Sequence, residues 1–420
     1  MDTKGWDIIS VCSNNATNKQ LEEYMTKNEI KFSYKDNNTE LNLTFNPWEI
    51  IYGGSGKLLR FKTPVKEGFL NLNDSGINID KKLDGICPVI EMQLDFLNSD
   101  LVFNFSVKGT KPGDSTDGAV TIIDVDLDGI IESGSIIHSA LKEALPELLI
   151  KNKEKISYVF ASLNQLSEGW MKPKKVKYSY IDPTSNNKYG FLAILSVIND
   201  RDVSNLPLSV DTTMLDGNND TFLLISEKLF LENIIVPIVP QIFGDKSTSS
   251  DFCVEATSNT TGYIRNARSV EAPSLKVGLV WYYPIWQSVA IIVEGDKLKL
   301  GGYGKCDITG FADAYVNFST DGDLSFSYVK STDNIEFKKH SGLKVDTTMH
   351  IPWWAWIVPV VGVVTTSVAA AVRDQLGDHL TNKLSNYIGN MARSVQWNNK
   401  VVETNDCLLD VGFCIKGSIK

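Results

Sequence analysis

Apolar and polar residues alternate with a period of two along much of the chain, in short segments that turn-forming residues separate. Segments 30–34 and 41–45, for example, flank Asp36-Asn37-Asn38. In a strand, a period of two places alternate side chains on opposite faces, and short turns of this composition join antiparallel neighbours. The same pattern returns between residues 177 and 351. We therefore expect a large number of β-hairpins.

Five segments have a helical period instead, with apolar residues three or four positions apart. They are residues 14–27, 136–149, 156–166, 227–236 and 366–393. In the last and longest segment, the apolar residues on one face are Val368, Val372, Leu376, Leu380, Leu384, Ile388 and Met391. Thr365, Thr366 and Ser367 are typical of an N-cap region, so we expect the long helix to begin there.

A long helix with one apolar stripe must bury that stripe against another surface. The many predicted strands can supply this surface, because a twisted antiparallel sheet can curve around a helix. Strands accumulate before the helices instead of alternating with them, which indicates the α+β class. The predicted architecture is a set of strongly curved antiparallel sheets wrapped around long amphipathic helices, in an elongated molecule.

A change in composition near Pro173 indicates a seam in the chain. We predict an N-terminal β-rich half with helices, residues 1–175, and a C-terminal β-rich half, residues 176–420. The second half contains the predicted helix 366–393. The two halves are also compatible with one continuous body.

Residues 351–372 contain no charged side chain and are numerous enough to span a bilayer. Pro352 and Pro359 oppose a continuous helix in this run, because proline lacks the backbone N–H that a helix needs. We therefore predict no membrane span. The alternative is an aromatic loop that leads into the last helix.

Candidate contacts with lipid or a membrane surface lie in this loop and on the apolar stripe of the helix. They are Trp353, Trp354, Trp356, Ile357, Val372, Leu376 and Leu380. Indole rings in such a loop either pack in a core or lie at a lipid interface. A candidate site for an anionic head group is formed by Lys172, Lys174, Lys175 and Lys177. A run of this kind is also typical of a solvated linker.

Overall charge and cysteine spacing exclude several classes of protein. The 41 basic and 51 acidic residues give a net charge of −10, which repels phosphate backbones and argues against a nucleic-acid partner. The six cysteines form no CxxC pair, so they indicate buried free thiols, although a Cys407–Cys414 bridge stays open. The first residues show no signal-peptide pattern, which predicts cytoplasmic synthesis.

Motifs that would carry chemistry are incomplete. Asp124 to Gly129 match the first half of a calcium loop, but Ser135 occupies the position where such a loop needs glutamate. The alternation in this segment is equally typical of a half-buried strand. The four histidines belong to no HExxH motif, and the chain has no GxSxG motif. We predict no catalytic residue, no metal site and no cofactor.

Three segments resemble a known family. They are the N-terminal Gly5–Ser13, the proline-interrupted Phe230–Pro237, and the tryptophan loop before the last helix. Together they resemble the forty-seven-kilodalton protein family of orfX-type botulinum neurotoxin gene clusters, over the whole chain. None of these segments is a catalytic signature.

The resemblance implies a tubular lipid-binding (TULIP) fold, in which a curved antiparallel sheet wraps a long helix and leaves an apolar groove. It also implies a non-enzymatic accessory protein that binds lipid or a membrane surface and supports toxin delivery. The implied partners are other orfX-cluster proteins and the neurotoxin complex, with release from the cell alongside the toxin by a non-classical route. If side chains fill the groove, the same fold would be a lipid-free scaffold that docks those proteins.

Overall fold

The structure is a computed structural model, and it describes most of the chain. The described residues are 1–74, 76–163, 169–183, 190–213, 215–243, 247–339, 344–352, 360–375, 379–381, 387–392 and 394–420.

Strands dominate the described residues. In chain order they are β1 (Ile8–Ser13), β2 (Lys31–Lys35), β3 (Thr39–Phe45), β4 (Glu49–Ser55), β5 (Leu58–Lys62), β6 (Val65–Asp74), β7 (Ile77–Lys82), β8 (Val89–Leu97), β9 (Asp100–Asn104), β10 (Val107–Lys108), β11 (Ala119–Asp124), β12 (Val159–Leu163), β13 (Lys175–Ile181), β14 (Phe191–Val197), β15 (Thr221–Ser226), β16 (Phe252–Ala256), β17 (Gly262–Asn266), β18 (Val270–Glu271), β19 (Leu275–Val277), β20 (Val280–Tyr282), β21 (Ile285–Glu294), β22 (Lys297–Asp307), β23 (Tyr315–Val329), β24 (Asn334–Lys339), β25 (Lys344–His350), β26 (His379–Thr381), β27 (Val395–Trp397), β28 (Val402–Asp410) and β29 (Gly412–Ile419).

The α-helices of the described ranges are short. They are α1 (Asn14–Lys27), α2 (Ile136–Lys151), α3 (Glu227–Phe230), α4 (Pro240–Phe243), α5 (Val360–Gln375) and α6 (Tyr387–Ala392). A π-helical turn, Leu231–Ile235, continues α3. The predicted helix 14–27 is confirmed, and Ser13 is its N-cap because its side chain accepts a hydrogen bond from Ala16 N.

The strands form curled sheets that are antiparallel except for the β10–β11 pair. A six-stranded sheet has the order β13-β14-β1-β15-β29-β28. An eight-stranded sheet has the order β10-β11-β8-β9-β12-β27, with β5 on β8 and β4 on β5. A nine-stranded sheet has the order β16-β17-β21-β22-β23-β24-β26, with β18 on β21 and β25 on β23. A four-stranded sheet has the order β2-β3-β6-β7, and β19 and β20 form a two-stranded sheet.

The six-stranded sheet lies between three hydrophobic clusters. Side chains alternate along β1, so Ile8 and Cys12 lie on one face, and Ile9 and Val11 lie on the other. Ile8 belongs to the cluster under the nine-stranded sheet, and Cys12 to the cluster of the N-terminal sheets. Ile9 and Val11 pack in a third cluster with Trp6. This sheet therefore contributes to every core.

Both predicted halves supply strands to the six-stranded sheet. β1 precedes the predicted boundary at residues 175 and 176, whereas β15, β28 and β29 follow it. The boundary itself falls at the start of β13. Near the C-terminus, β27 returns to the eight-stranded sheet and pairs with β12. The division of the chain into 1–175 and 176–420 stays a prediction.

The prediction of one long helix over 366–393 is wrong. α5 ends at Gln375, and the chain then forms β26 and the short α6. In β26, Leu380 pairs with Phe337 of β24. An added strand satisfies the backbone groups that a sheet edge leaves unpaired, and Gly377 in a helix interior would cost about 1 kcal/mol relative to alanine. Edge pairing therefore outweighs a helical apolar stripe, and the long amphipathic helices predicted from sequence are not present in the described ranges.

The predicted helix over 156–166 is also wrong in the residues described, because 159–163 form β12. Two neighbours, β9 and β27, pair with this strand on either side. Phe160 and Ala161 are fully buried there. Four apolar residues at helical spacing also fit a buried strand, and periodicity alone cannot separate the two.

The Cys407–Cys414 bridge that the spacing left open does not form, since all six cysteines are free. Cys407 lies opposite Ile415, and Leu408 lies opposite Cys414. Neighbouring positions in a strand project to opposite faces. The Cys407 thiol therefore lies in the cluster under the nine-stranded sheet, and the Cys414 thiol lies in the cluster of Trp6.

Candidate functional site

Helix α5 is the part of the predicted apolar site that the structure describes best. Val364, Val368 and Val372 are four residues apart and therefore share one face of the helix. All three are fully buried in the cluster under the nine-stranded sheet. The helix packs against β19, β23 and β25. The sheet and the helix thus bury apolar surface against each other, as the sequence pattern predicts.

The start of this helix differs from the prediction. Thr365, Thr366 and Ser367 lie inside α5 and do not cap it. Thr366 Oγ1 donates to the carbonyl oxygens of Gly362 and Val363, at 3.2 and 3.0 Å. A hydroxyl that bonds back to the preceding turn is satisfied within a helix, so these residues do not need to end it.

A second side of α5 faces solvent and carries no charge before Arg373, although it includes the exposed Thr366. Val363 keeps 51% of its surface exposed. Gly362 and Ala370 are exposed as well, and the first charged residue of the helix is Arg373. Surface helices normally place polar or charged residues on this side. The helix therefore offers uncharged surface to solvent over its first three turns.

The predicted lipid contacts are only partly described. Val372 is buried in the protein core. Leu380 lies in β26, where its backbone pairs with Phe337. The other predicted contacts, Trp353, Trp354, Trp356, Ile357 and Leu376, lie outside the described residues.

The predicted basic site has structural contacts at two of its four lysines. Lys175 Nζ donates to the carbonyl oxygens of Asp200 and Arg201, at 2.8 and 2.7 Å. Lys177 Nζ donates to Val203 O at 2.7 Å. Both lysines therefore hold the loop after β14 against the edge strand β13.

Lys172 and Lys174, the other members of the predicted basic site, are exposed. They lie just before β13, whereas α5 packs under the nine-stranded sheet. No contact described here joins these lysines to α5.

Sequence reasoning missed an apolar hairpin beside α5, formed by β19, β20 and the turn between them. Its outward residues Leu279, Trp281 and Tyr283 are exposed by 93%, 49% and 61%. The inward Tyr282 is 2% exposed. The signal was present as the uninterrupted apolar and aromatic run 279–286, but such a run does not tell which side chains meet water.

Asp124 and Asp126 of the incomplete calcium motif bind backbone N–H groups. Asp126 accepts hydrogen bonds from Cys87 N at 3.0 Å and from Ile131 N at 2.8 Å. Asp124 Oδ1 accepts one from Asp126 N. Among the residues with described positions, no group of three or more histidine, cysteine, aspartate or glutamate side chains could hold a metal ion.

Open depressions lie over the N-terminal sheets. One of them has a volume of about 630 Å³ and borders β2, β3 and β6. Its lining includes Lys31, Lys82, Glu67 and Asp84 next to Phe69. This mixture of charges and apolar side chains differs from α5, which has no charge before Arg373, and from the hairpin, where Lys276 is the single charged residue.

The curled sheets and their order can be compared with known proteins. A family model described as OrfX-like, Protein OrfX2/OrfX3/P47, matches residues 3–406. The chain belongs to this OrfX-like family. The family resemblance seen in the sequence is therefore confirmed.

Relatives of this OrfX-like chain include the Protein P47 of Clostridium botulinum strain Kyoto, type A2. It is 36% identical, and the alignment covers 100% of both chains. Protein OrfX3 of Paraclostridium bifermentans is 24% identical over 78% of this chain and 75% of its own.

Two solved structures of relatives have the same fold. P47 from Clostridium botulinum A2 superposes with a TM-score of 0.86 at 35% identity, covering 100% of this chain and 98% of that one. P47 of Clostridium botulinum E1 gives a TM-score of 0.85 at 32% identity, with 99% of each chain covered. The β-rich curled architecture is therefore shared with the P47 proteins. In the described part of this OrfX-like chain, no helix is both long and apolar enough to cross a membrane.

Proposed function

We propose that this OrfX-like chain is a non-enzymatic accessory protein of a clostridial neurotoxin gene cluster that binds lipid or a membrane surface and supports toxin delivery. The sequence resemblance implies that lipid binds in an apolar groove beside a helix. Protein side chains cover Val364, Val368 and Val372 on the side of α5 that faces the nine-stranded sheet, so the lipid contact we propose is on the solvent-facing side of α5. The partners we propose are other orfX-cluster proteins and the neurotoxin complex.

One observation carries the lipid-binding part of this proposal. Helix α5 has no charged residue from Val360 to Val372, is apolar toward the core at Val368, and exposes Val363 beside the uncharged Thr366 toward solvent. Exposed apolar surface of this kind is unfavourable in water by about 25 cal/mol per Å². Contiguous patches of it mark sites that a lipid or another apolar partner covers.

Lipid extraction and native mass spectrometry of the purified protein test the proposal. We expect a co-purifying lipid, or uptake of lipid from added vesicles. Val363→Asp places a charge on the exposed uncharged side of α5 and should reduce the lipid recovered. Ile136→Asp is the matched control, because Ile136 is 53% exposed at the start of α2 in the N-terminal half. Protein that carries no lipid and binds no vesicles would contradict the proposal.

A lipid-free scaffold that docks other orfX-cluster proteins is the second candidate. The full burial of Val364, Val368 and Val372 by protein side chains favours it, because these residues leave no apolar stripe for a ligand on that side of α5. Affinity capture with the tagged chain from cells that express the whole cluster decides this point. Recovery of other cluster proteins without lipid would support the scaffold, and recovery of the chain alone would contradict it.

A further inference from the structure

The apolar hairpin, residues Leu275–Tyr283, is built as a small separate ribbon. β19 and β20 pair only with each other among the described strands, and Val277 lies opposite Val280. Gly278 and Leu279 form the two-residue turn between them. Gly278 has a φ of +62°, which suits the first central position of a hairpin turn and is strained for other residues.

The inner face of this hairpin holds it firmly on the body of the protein. Tyr282 is buried in the cluster under the nine-stranded sheet, and Leu275 and Val277 pack partly against the same cluster. Trp286, just after the hairpin, is fully buried there. The outer side chains are therefore displayed from a fixed support.

The outer face of the hairpin and the strand that follows has the reverse of the expected polarity. Trp281, Tyr283 and Ile285 alternate with buried residues, and Leu279 and Val280 at the turn are both exposed. The exposed fractions are 93% for Leu279, 36% for Val280, 49% for Trp281, 61% for Tyr283 and 39% for Ile285. A half-buried antiparallel strand normally carries polar side chains on its wet face. Here these exposed residues are all apolar or aromatic, so this face is suited to an environment other than bulk water.

The charge on the hairpin has one sign. From Ala272 to Val293 the sequence contains a single charged residue, Lys276. Lys276 lies directly opposite Trp281, and its Nζ is 5.8 Å from the centroid of the Trp281 ring. Glu271, the acidic residue that precedes this stretch in the sequence, lies opposite Ile285 at the base of the hairpin. The tip is therefore apolar and cationic, although the whole chain carries −10.

We propose that this hairpin inserts its tip into the interface of a phospholipid bilayer with anionic head groups. In the bound state, Leu279 enters the acyl region, Trp281 and Tyr283 lie at head-group level, and Lys276 contacts an anionic phosphate. The inference rests on the proposed function and deepens it, because it assigns membrane contact to a particular element.

The composition of the tip favours a bilayer over a protein partner. Tryptophan and tyrosine are enriched at membrane–water interfaces because one end of each side chain is apolar and the other polar. A lysine beside them can extend its apolar stem into the interface and keep its ammonium in the head-group layer. A stable protein interface needs about 800 Å² from each partner, which is more than a two-residue turn on a narrow ribbon presents.

Vesicle flotation with the full chain tests the assignment. The probes are vesicles of phosphatidylcholine alone and of phosphatidylcholine mixed with phosphatidylserine. We expect wild-type protein to float with the mixed vesicles. Leu279→Asp should bind them at least about tenfold more weakly, because the free energy of transferring a leucine side chain from water into the acyl region is lost. Ile136→Asp, which makes the same change of charge at an exposed position of the N-terminal half, should float like the wild type.

The lysine is tested separately. Lys276→Glu should weaken binding to the phosphatidylserine vesicles about fivefold or more, and Lys276→Arg should restore it, since each basic residue near an anionic surface contributes about 1 kcal/mol. On vesicles of phosphatidylcholine alone, the two variants should differ little. Thermal unfolding of each variant checks that the exposed substitutions leave the fold intact.

The outcomes separate this inference from the proposed function. If Leu279→Asp floats like the wild type while Val363→Asp does not, the hairpin assignment is wrong and the proposed function stands. If wild-type protein carries extracted lipid but ignores all vesicles, the assignment is again wrong. If Leu279→Asp keeps vesicle binding but loses a protein of the cluster in affinity capture, the tip is a protein contact. Absence of both extracted lipid and flotation contradicts the proposed function as well.

Discussion

The indole Nε1 of Trp397 donates a hydrogen bond to Ser10 Oγ at 3.2 Å, across a sequence separation of 387 residues. Trp397 belongs to β27 in the eight-stranded sheet, and Ser10 belongs to β1 in the six-stranded sheet. The indole is 1% exposed. The contact therefore joins the two ends of the chain where two sheets meet.

Removal of either partner should destabilise the protein by different amounts. Ser10→Ala leaves a buried indole N–H without its acceptor and should cost about 1–3 kcal/mol of unfolding free energy. Trp397→Phe removes the donor and leaves a small void. Because both variants break one interaction, the double variant should lose less than the sum of the two. Urea unfolding of the four proteins measures this cycle, and strict additivity would contradict the coupling.

Local patterns predict local elements in this chain well. The helix 14–27 follows from Ser13 as a cap, and the helix predicted over 136–149 is observed as α2, from Ile136 to Lys151. The start of α3 at Glu227 also agrees with the pattern, although Ser226 makes no side-chain cap bond. Nearest-neighbour hairpins were likewise visible, because turn chemistry and alternation act over a few residues.

Long-range competition explains what sequence reasoning missed. Residues 379–381 fit a helical stripe, but the free edge of β24 takes them as a strand. The pairing of β27 with β12 and the contact of Trp397 with Ser10 leave no trace in local periodicity. For Trp281, the apolar run 279–286 predicts a strand correctly, yet it cannot say which of the apolar side chains are exposed.

A buried ion pair should hold the N-terminal strand to the loop after β14. Arg201 donates from Nη2 to Asp7 Oδ1 at 2.7 Å and from Nη1 to Oδ2 at 2.8 Å, and Ile198 N donates to the same carboxylate. Both side chains are largely buried. Asp7→Asn should therefore cost about 3 kcal/mol or more, since it leaves the guanidinium buried without a countercharge.

Chemical denaturation with an exposed pair as control tests the Asp7 prediction. Glu40 and Lys35 form an ion pair in which both side chains are well exposed. Glu40→Gln should leave the unfolding midpoint unchanged within error, because exposed pairs contribute little. Equal effects of Asp7→Asn and Glu40→Gln would show that the Arg201 contact does not stabilise the fold.

A single cysteine should react with thiol reagents in the native protein. Burial raises the pKa of Cys12 and Cys414 to about 12 and that of Cys87 and Cys306 to about 11. Burial also raises the pKa of Cys407 well above its usual value. The thiolate is the reactive form, so these five cysteines should stay unmodified near pH 8.

The sixth cysteine, Cys253, is partly exposed in the edge strand β16. Native protein treated with Ellman's reagent should rapidly release about one equivalent of thionitrobenzoate, because only an accessible thiol reacts quickly. Cys253→Ser should abolish this rapid phase. Denatured wild-type protein should release six equivalents, since all six thiols are free. Rapid modification that survives in Cys253→Ser would contradict the burial of the others.

The packing of α5 can be tested by two valine substitutions on opposite sides of the helix. Val368 is fully buried, whereas Val363 is 51% exposed. Val368→Ala should destabilise the protein by about 1–3 kcal/mol through lost apolar burial and the cavity that remains. Val363→Ala should have little effect on unfolding, because it removes less buried surface and alanine favours a helix. A larger loss of stability in Val363→Ala than in Val368→Ala would mean that the side of α5 with Val363, and not the side with Val368, packs against the sheet.

Stability should respond to pH through Glu227 at the start of α3. Burial raises the pKa of this carboxyl from 4.5 to about 7, and the N–H of Gly262 partly opposes the shift by donating to it. The raised pKa means that the folded state favours the protonated form. The stability that the protonated Glu227 carboxyl gives the folded state is fully present below pH 4.5 and is lost as the pH rises through 7.

Glu227→Gln cannot ionise, so it should gain stability relative to the wild type between pH 5 and pH 8. We expect a relative gain of the order of 1 kcal/mol, reduced from the full linkage value because the carboxyl is only about half buried and solvent screens its charge. Urea unfolding at both pH values measures the difference. Glu22→Gln, which makes the same change at an exposed position of α1, is the control and should show no such trend. A difference between Glu227→Gln and wild type that stays constant from pH 5 to pH 8 would mean that this carboxyl is ionised across the whole range.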